Sequence, residues 1–556
     1  MAMNRKYTPR GSAALSLLLA ALQVIAPVAS VAGNITPANG RTTVSAAGNG
    51  VPVVNIARPG ARGISHNRFN AFDVGRNGVL LNNSRAAVRT KLGGWIEGNP
   101  RLGDSRARLI LNEVTGANAS SLRGYLEVAG DRADVVVANE NGITCNGCGF
   151  INTGKLVLTT GAPLWNDDET LRGYRVTEGS VEVSGDGLDA SRADALDIYA
   201  RALRLNAAMQ AQTIDLVLGV NDVSAGGRIL ASGSGDAAPL YALDAGELGG
   251  MYANRIRLVG TEDGVGMRIA GELVAFDGRL ALSTAGDLHI ESSASVVAAK
   301  DASLQASDIS NAGTLAANGS LALATGALAN SGSLVAGGDI SLQAAALQNA
   351  GAIDAAGNLS LGELDMLANA GGTLRAGNNL SLALETFDDR AVGGLLESWG
   401  TTTIAAGQAS FHERFMTPGS LLLQVGQLDI GTDATVAAWG GTVVETDTLE
   451  NHGVLFGHAG LGINAATSVT NHENAVLLAD GDLWITGMGE TPLPELRNRG
   501  GRIESTAGNV WLAAAAIRNT NVGWDTRTTH WTEVDYQHGQ TAFDTFYFSG
   551  EEWSEN

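Results

Sequence analysis

The chain has 556 residues, with 57 Asp or Glu against 36 Lys or Arg, a net charge of −21. That balance argues against nucleic acid or an anionic membrane surface as partner. Glycine at 73 positions supplies many tight corners, proline at only 11 leaves backbone donors free for strand pairing, and 5 % aromatics point to a core of Leu, Val, Ile and Ala.

The first element in chain order is a secretory leader. Arg5, Lys6 and Arg10 form a basic start, Ala13–Ile25 an apolar run, and Ser30-Val31-Ala32 a small-residue cleavage site, so residues 1–32 are predicted to be cut off after Ala32. The run is too short to span a bilayer, and no later stretch approaches ~18 uninterrupted apolar residues. The mature chain is expected outside the cytoplasm without a membrane anchor.

Residues 33–255 are predicted to form a first domain of short strands broken by turns, clearest at Val51–Ile56, Leu109–Val114, Asp134–Ala138, Lys155–Thr160, Val181–Ser184 and Thr213–Leu218. Its opening part is basic: residues 33–135 hold 13 Lys or Arg and 7 Asp or Glu, a net of +6. With +3 in the leader, residues 136–556 carry −30. Scattered solvated arginines are the preferred reading of that excess, a contact with an acidic receptor surface the second. Cys145 and Cys148, the chain's two cysteines, form a C-x-x-C. No nearby Cys or His pair completes a zinc set, and beyond a leader the compartment is oxidising, so a local disulfide is favoured over free thiols.

Residues 256–520 contain repeats. Asn311-Ala-Gly313, Asn330-Ser-Gly332, Asn349-Ala-Gly351 and Asn369-Ala-Gly371 recur at 19 or 20 residues. Each is followed by a lone aliphatic (Leu315, Leu334, Ile353, Leu374), a glycine turn, and an alternating pair such as Leu321 and Leu323. A further apolar position follows at Leu328, Leu347 and Leu367. The apolar spacing inside a unit is 2, which excludes a helical repeat. Each unit supplies about three strands that cannot bury their own apolar face, and stacking units as parallel coils solves this. The predicted fold is all-β, a right-handed parallel β-helix with ~19–20 residues per coil. Asn311, Asn330, Asn349 and Asn369 are expected to stack as a structural ladder. The register is expected to lapse around Glu385–Pro418. Asn451-His-Gly453 and Asn471-His-Glu473 resume the pattern, with His452 and His472 expected as a stacked corner pair in preference to a metal site.

Residues 521–556 hold eight aromatics, Trp524, Trp531, Tyr536, Phe543, Phe546, Tyr547, Phe548 and Trp553. Their first reading is a cap over the open edge of the last coil, their second the start of a further region. No Gly-x-Ser-x-Gly elbow, Walker loop, His-Glu-x-x-His helix or EF-hand loop occurs. A β-helical polysaccharide-active enzyme needs convergent carboxylates on adjacent coils, where the clear repeats offer mostly Ala, Ser, Asn and Gly. The expectation is a monomeric interaction protein, not an enzyme, without cofactor or metal.

Two short motifs lie in the first domain, Asn99-Pro100-Arg101-Leu102 and Asn139-Glu140-Asn141-Gly142-Ile143. Around them run Leu111-Asn-Glu-Val-Thr-Gly116, Ala119-Ser-Ser-Leu-Arg-Gly124, Cys145-Asn-Gly-Cys-Gly-Phe-Ile-Asn-Thr153, Leu158-Thr-Thr-Gly161 and Gly219-Val-Asn221. This order resembles the secretion domain of two-partner secretion exoproteins, and the later units resemble haemagglutinin repeats. Filamentous haemagglutinin, haemolysin-type cytolysins and contact-dependent inhibition toxins make up that family. Arg101 and Glu140 depart from the family's Asn and Pro. The resemblance implies export through a dedicated outer-membrane transporter whose periplasmic POTRA domains engage the first domain, with Asn99, Pro100, Leu102, Asn139, Asn141, Gly142 and Ile143 as the recognition turns. It implies a secreted or surface-bound product, after a transient periplasmic stage, that acts as an adhesin or an inhibition stalk, with a cytolysin as the alternative. The receptor stays open. A fragment, a truncated product and a short exoprotein are equally open.

Overall fold

Within one repeat the apolar positions fall on three separate strands. Leu315 lies on Thr314–Ala317, Leu321 and Leu323 on Leu321–Ala324, and Leu328 on Ala327–Asn330, and all four side chains are at most 2 % exposed. Side chains alternate across a strand, so 321 and 323 share the inward side while Ala322 is exposed. The next coil repeats this in register: Leu315 pairs with Leu334, Leu321 with Ile340, Leu323 with Leu342 and Leu328 with Leu347, all in parallel strands. Like stacks on like at the ~4.8 Å interstrand spacing.

The computed structural model describes residues 34–60, 62–520 and 541–543. The leader, and the aromatic tail apart from the strand Thr541–Phe543, lie outside the described residues. The described chain is a right-handed parallel β-solenoid of about 19 turns. One face begins at Ile64–Phe72, a second at Pro52–Asn55, and a third runs from Ser120–Leu122 to Met366–Ala368. The ladder crosses residue 255 without a break, Arg255–Gly260 pairing with Thr213–Leu218 before it and Leu280–Thr284 after it.

At Glu385–Pro418 the register holds, contrary to the sequence expectation. Leu380–Asp388 pairs in parallel with Thr401–Phe411, and that strand with Ser420–Ile430. Beyond Ala368 the third face ends, and strands of 11 or 12 residues cover what two strands covered before. A single helical turn at Asp389–Val392 sits at the change-over, and Phe387, Phe411 and Phe415 fill the interior beside it. The inserted turn moves the repeat out of its 19–20-residue spacing without breaking the coil.

The start of the first coil is capped by short antiparallel strands: Ile35–Pro37 pairs with Ile64–Phe72, and Thr43–Ala46 with Pro52–Asn55, so the long parallel edges are covered by strands of three and four residues. At the other end Thr541–Phe543 pairs antiparallel with Val510–Leu512. Part of the first domain also leaves the coil: Ala162–Trp165, Leu171–Val176, Asn221–Ser224 and Ile229–Ser232 form an antiparallel sheet. Its Tyr174, Val176 and Val223 pack over Val136, Val157, Tyr199 and Val217 on the outside of the first face. Strands such as Ala133–Asn139 are thus buried on both sides and read as continuous apolar runs.

Candidate functional site

Asn99 and Asn139 build the same kind of corner. Asn99 is buried, and its Oδ1 accepts from the Arg101 N–H at 3.0 Å while its Nδ2 donates to the carbonyls of Ile56 and Asn82, both at 2.9 Å. Asn139 is also buried: Oδ1 accepts from the Asn141 N–H at 3.0 Å, and Nδ2 donates to the Asn118 carbonyl and Ser120 Oγ at 3.0 Å. An Asn side chain turning its own backbone two residues on, with its amide anchored in the neighbouring coil, pins a corner from both directions. The two turns do not meet. Asn99 sits where the second face passes into the first, and Asn139 where the first passes into the third.

The remaining motif residues follow from those locks. Pro100 is exposed at the second position of a turn closed by the Leu102 N–H on the Asn99 carbonyl at 3.4 Å, and the Leu102 side chain enters the core. Arg101 fills a place of its own, donating to the Gly40 carbonyl at 2.7 Å and to Thr43 Oγ1 at 3.3 Å, which ties the amino-terminal cap to the turn. Glu140 takes the position of Pro100 in the second turn, closed by the Gly142 N–H on the Asn139 carbonyl at 3.0 Å. Asn141 Nδ2 donates to the Gly116 carbonyl at 2.9 Å, Gly142 has φ +108°, and Ile143 is buried between Ser120 and Val181 of the flanking coils. Cys145 and Cys148 are joined as a disulfide across the next corner, with both side chains buried.

Further residues support the turns without any local pattern to announce them. Glu127 is 5 % exposed, and its two carboxylate oxygens accept from the backbone N–H groups of Lys91 and Leu92 at 2.7 and 2.8 Å. It thereby holds the hairpin Val88–Thr90/Gly94–Ile96, next to Asn99, whose Trp95 is 70 % exposed. Asn152, at φ +57°, donates to the Val128 and Gly130 carbonyls, which anchors a third corner to the preceding coil.

Several charges of this domain are engaged in buried or half-buried pairs. His66 Nε2 lies 2.6 Å from Glu113 Oε2, and that hydrogen bond holds the Glu113 carboxyl below its ordinary range against the opposing effect of burial. Lys155 and the Tyr199 hydroxyl both contact Asp197 beneath the flanking sheet. Burial raises the Asp215 carboxyl, with Arg257 at 2.5 Å pulling the other way. Arg201 and Glu262 form a nearly buried bidentate pair at 2.8 and 3.2 Å.

The ladder of asparagines follows the repeat. Nδ2 to Oδ1 distances of 2.7 Å link Asn311 to Asn330, Asn330 to Asn349 and Asn349 to Asn369. A second run connects Asn451, Asn471, Asn498 and Asn519 at 2.8–2.9 Å. None of these asparagines touches the turns at Asn99 and Asn139; they bind coil to coil.

A sequence profile described as the TPS secretion domain matches residues 30–290. Over 321 residues the chain is 44 % identical to the 16S rRNA endonuclease CdiA of Enterobacter cloacae subsp. cloacae, an alignment covering 57 % of this chain and 10 % of that protein. Over 282 residues it is 50 % identical to the tRNA nuclease CdiA of Escherichia coli O6:K15:H31, covering 50 % of this chain and 8 % of that protein. Among solved structures, the crystal structure of the filamentous hemagglutinin secretion domain is similar at 33 % identity and a TM-score of 0.47, covering 56 % of this chain and 99 % of that one. The chain thus spans 10 % or less of the length of these two curated relatives.

Proposed function

This chain belongs to the two-partner secretion exoproteins through its domain at residues 30–290, and from that premise we propose that the domain is the export signal read by a dedicated outer-membrane transporter. The transporter's periplasmic POTRA domains take the pinned amino-terminal turns, and the later coils form a stalk carried to the cell surface. The match of residues 30–290 to the secretion domain carries this reading. The fold suits it physically. Each coil pairs with the one before it, so coils added outside the membrane extend a capped starting end and oppose backsliding.

Identity of 44–50 % to proteins named CdiA favours the stalk of a contact-dependent inhibition protein over a free-standing adhesin. The nuclease activity in those names is theirs; the alignments reach 10 % or less of each. The role proposed for this chain is display and binding, without catalysis. Expression with and without the cognate transporter tests the reading, with protease accessibility on intact cells as the measure. Surface protein is expected only with the transporter, and loss of residues 33–255 is expected to leave the remainder in the periplasm. Equal surface exposure without the transporter would overturn it.

A further inference from the structure

Gly441–Asn451 and Gly460–Asn471 are neighbouring parallel strands whose register shifts by one residue between Thr446 and Thr448; beyond that bulge Asn451 pairs with Asn471, so His452 and His472, just past the strand ends, occupy equivalent corner positions on adjacent coils. Their imidazole rings stack with centroids 3.7 Å apart and planes 11° from parallel. The stack has a third member that the repeat pattern does not announce. Glu450, two residues before His452, places Oε2 2.7 Å from His472 Nε2. One ligand atom from each of Glu450, His452 and His472 lies within 4.8 Å of the other two.

We propose that Glu450, His452 and His472 form a site for one divalent transition cation, with zinc as the reference ion, which clips two adjacent coils together. Two imidazoles and a carboxylate are a donor set that borderline cations accept, at metal–nitrogen distances of about 2.0–2.1 Å. Ligand atoms on such an ion stand roughly 3.3 Å apart in tetrahedral geometry, so the three are near enough to share one ion once the two nearly parallel rings tilt to aim their nitrogens at a common point. In the metal-free chain Glu450 and His472 share a hydrogen-bonding proton. A cation takes that proton's place, and the ligand nitrogens must be unprotonated to accept it. All three residues are half-buried, and the Glu450 side chain keeps 46 % of its surface exposed, which leaves the fourth position open to water. Arg497, a cation on the following coil, is occupied by Glu495. Hard ions such as magnesium prefer all-oxygen shells and do not compete here.

The test is calorimetric titration of the full chain with zinc chloride at neutral pH, with magnesium chloride as contrast, and thermal melts in parallel. The expected result is a saturable zinc site that weakens about tenfold or more in His452→Ala and in His472→Ala. It is expected to persist in His458→Ala, and zinc should raise the melting midpoint of the wild type but not of the two site variants. His452→Gln and His472→Gln, checked by circular dichroism, serve if either alanine variant fails to fold. Glu450→Gln keeps a hydrogen-bonding partner for His472 but removes the anionic ligand, and is expected to weaken zinc as well. Unchanged affinity in Glu450→Gln would overturn the three-ligand assignment. Absence of saturable zinc binding, or its full retention when both histidines are replaced, would overturn the site.

Discussion

A Cβ on residue 142 would stand 2.9 Å from the carbonyl oxygen of Ser180 on the next coil, closer than side chains come to backbone. Gly142 also holds φ +108°, outside the region that L side chains adopt. The corner therefore excludes a side chain twice, by its own dihedral and by its neighbour. Gly142→Val combined with Asn141→Ala removes the Gly116 anchor and strains the turn by at least ~1–2 kcal/mol from the dihedral alone. The double variant is expected to lose surface export in cells that carry the transporter, as read by protease accessibility. Normal surface levels would sink the idea that this turn is required.

How far the fold was legible follows from what each stretch of chain spends its side chains on. Residues such as Leu321, Leu323 and Leu328 face one interior only, so a period of 2 inside a period of 19 was enough to predict stacked coils. Val136 and Val157 belong to the same face, but the flanking sheet covers their outer side, and alternation disappears. Excursions such as Ala162–Val176 lengthen the coils and hide their spacing. Asn498 escaped notice because the loop at Met488–Glu490 sets it 27 residues beyond Asn471 instead of 20. Glu127 reaches back 36 residues to Lys91, and Glu450 joins two histidines on different coils. Such partnerships exist only once the register is known.

The asparagine ladder has an internal test. Asn349 donates to Asn369 Oδ1 and accepts from Asn330 Nδ2, both at 2.7 Å, whereas Asn311 Oδ1 at the first rung has no donor among the described residues. Asn349→Ala is expected to cost about 2–3 kcal/mol, since it strips partners from two buried amides. Asn311→Ala, which interrupts the ladder on one side only, is expected to cost less. Asn349→Asp is expected to be worse than Asn349→Ala, because it buries a charge and sets a carboxylate oxygen against Asn369 Oδ1. Chemical denaturation of the three variants gives the order, and equal costs at positions 311 and 349 would contradict cooperation along the ladder.

The bridge between Cys145 and Cys148 closes a very short loop, and the chain-entropy relation assigns it about 2 kcal/mol. Replacement of both residues by Ala is expected to lose roughly that amount. Cys148→Ser is expected to lose more, because it also sets a polar hydroxyl at a position that is 1 % exposed in the core beside Leu188. Alkylation of the exported protein without reductant, followed by mass spectrometry, checks the bridge itself. Two alkylated cysteines would show that it does not form.

Glu113 links the first two rungs of the long face to pH. Its strand Leu109–Val114 pairs with Ile64–Phe72, and the hydrogen bond with His66 across that pair holds its carboxyl below the ordinary value, with burial opposing and Arg68 assisting. A carboxyl whose folded pKa lies below its unfolded one stabilises the fold in full above the unfolded value, about 4.3 for glutamate, and the contribution fades as pH falls through the folded value. The amino-terminal coils are therefore expected to weaken in acid below about pH 4.5, beginning at the pair that starts the ladder. Glu113→Gln should be less stable than the wild type at pH 7, and the gap should narrow as the pH drops toward 3. Denaturation midpoints taken across that range measure the gap directly. A difference that stays constant from pH 7 to pH 3 would mean that the His66–Glu113 contact acts through packing and not through charge.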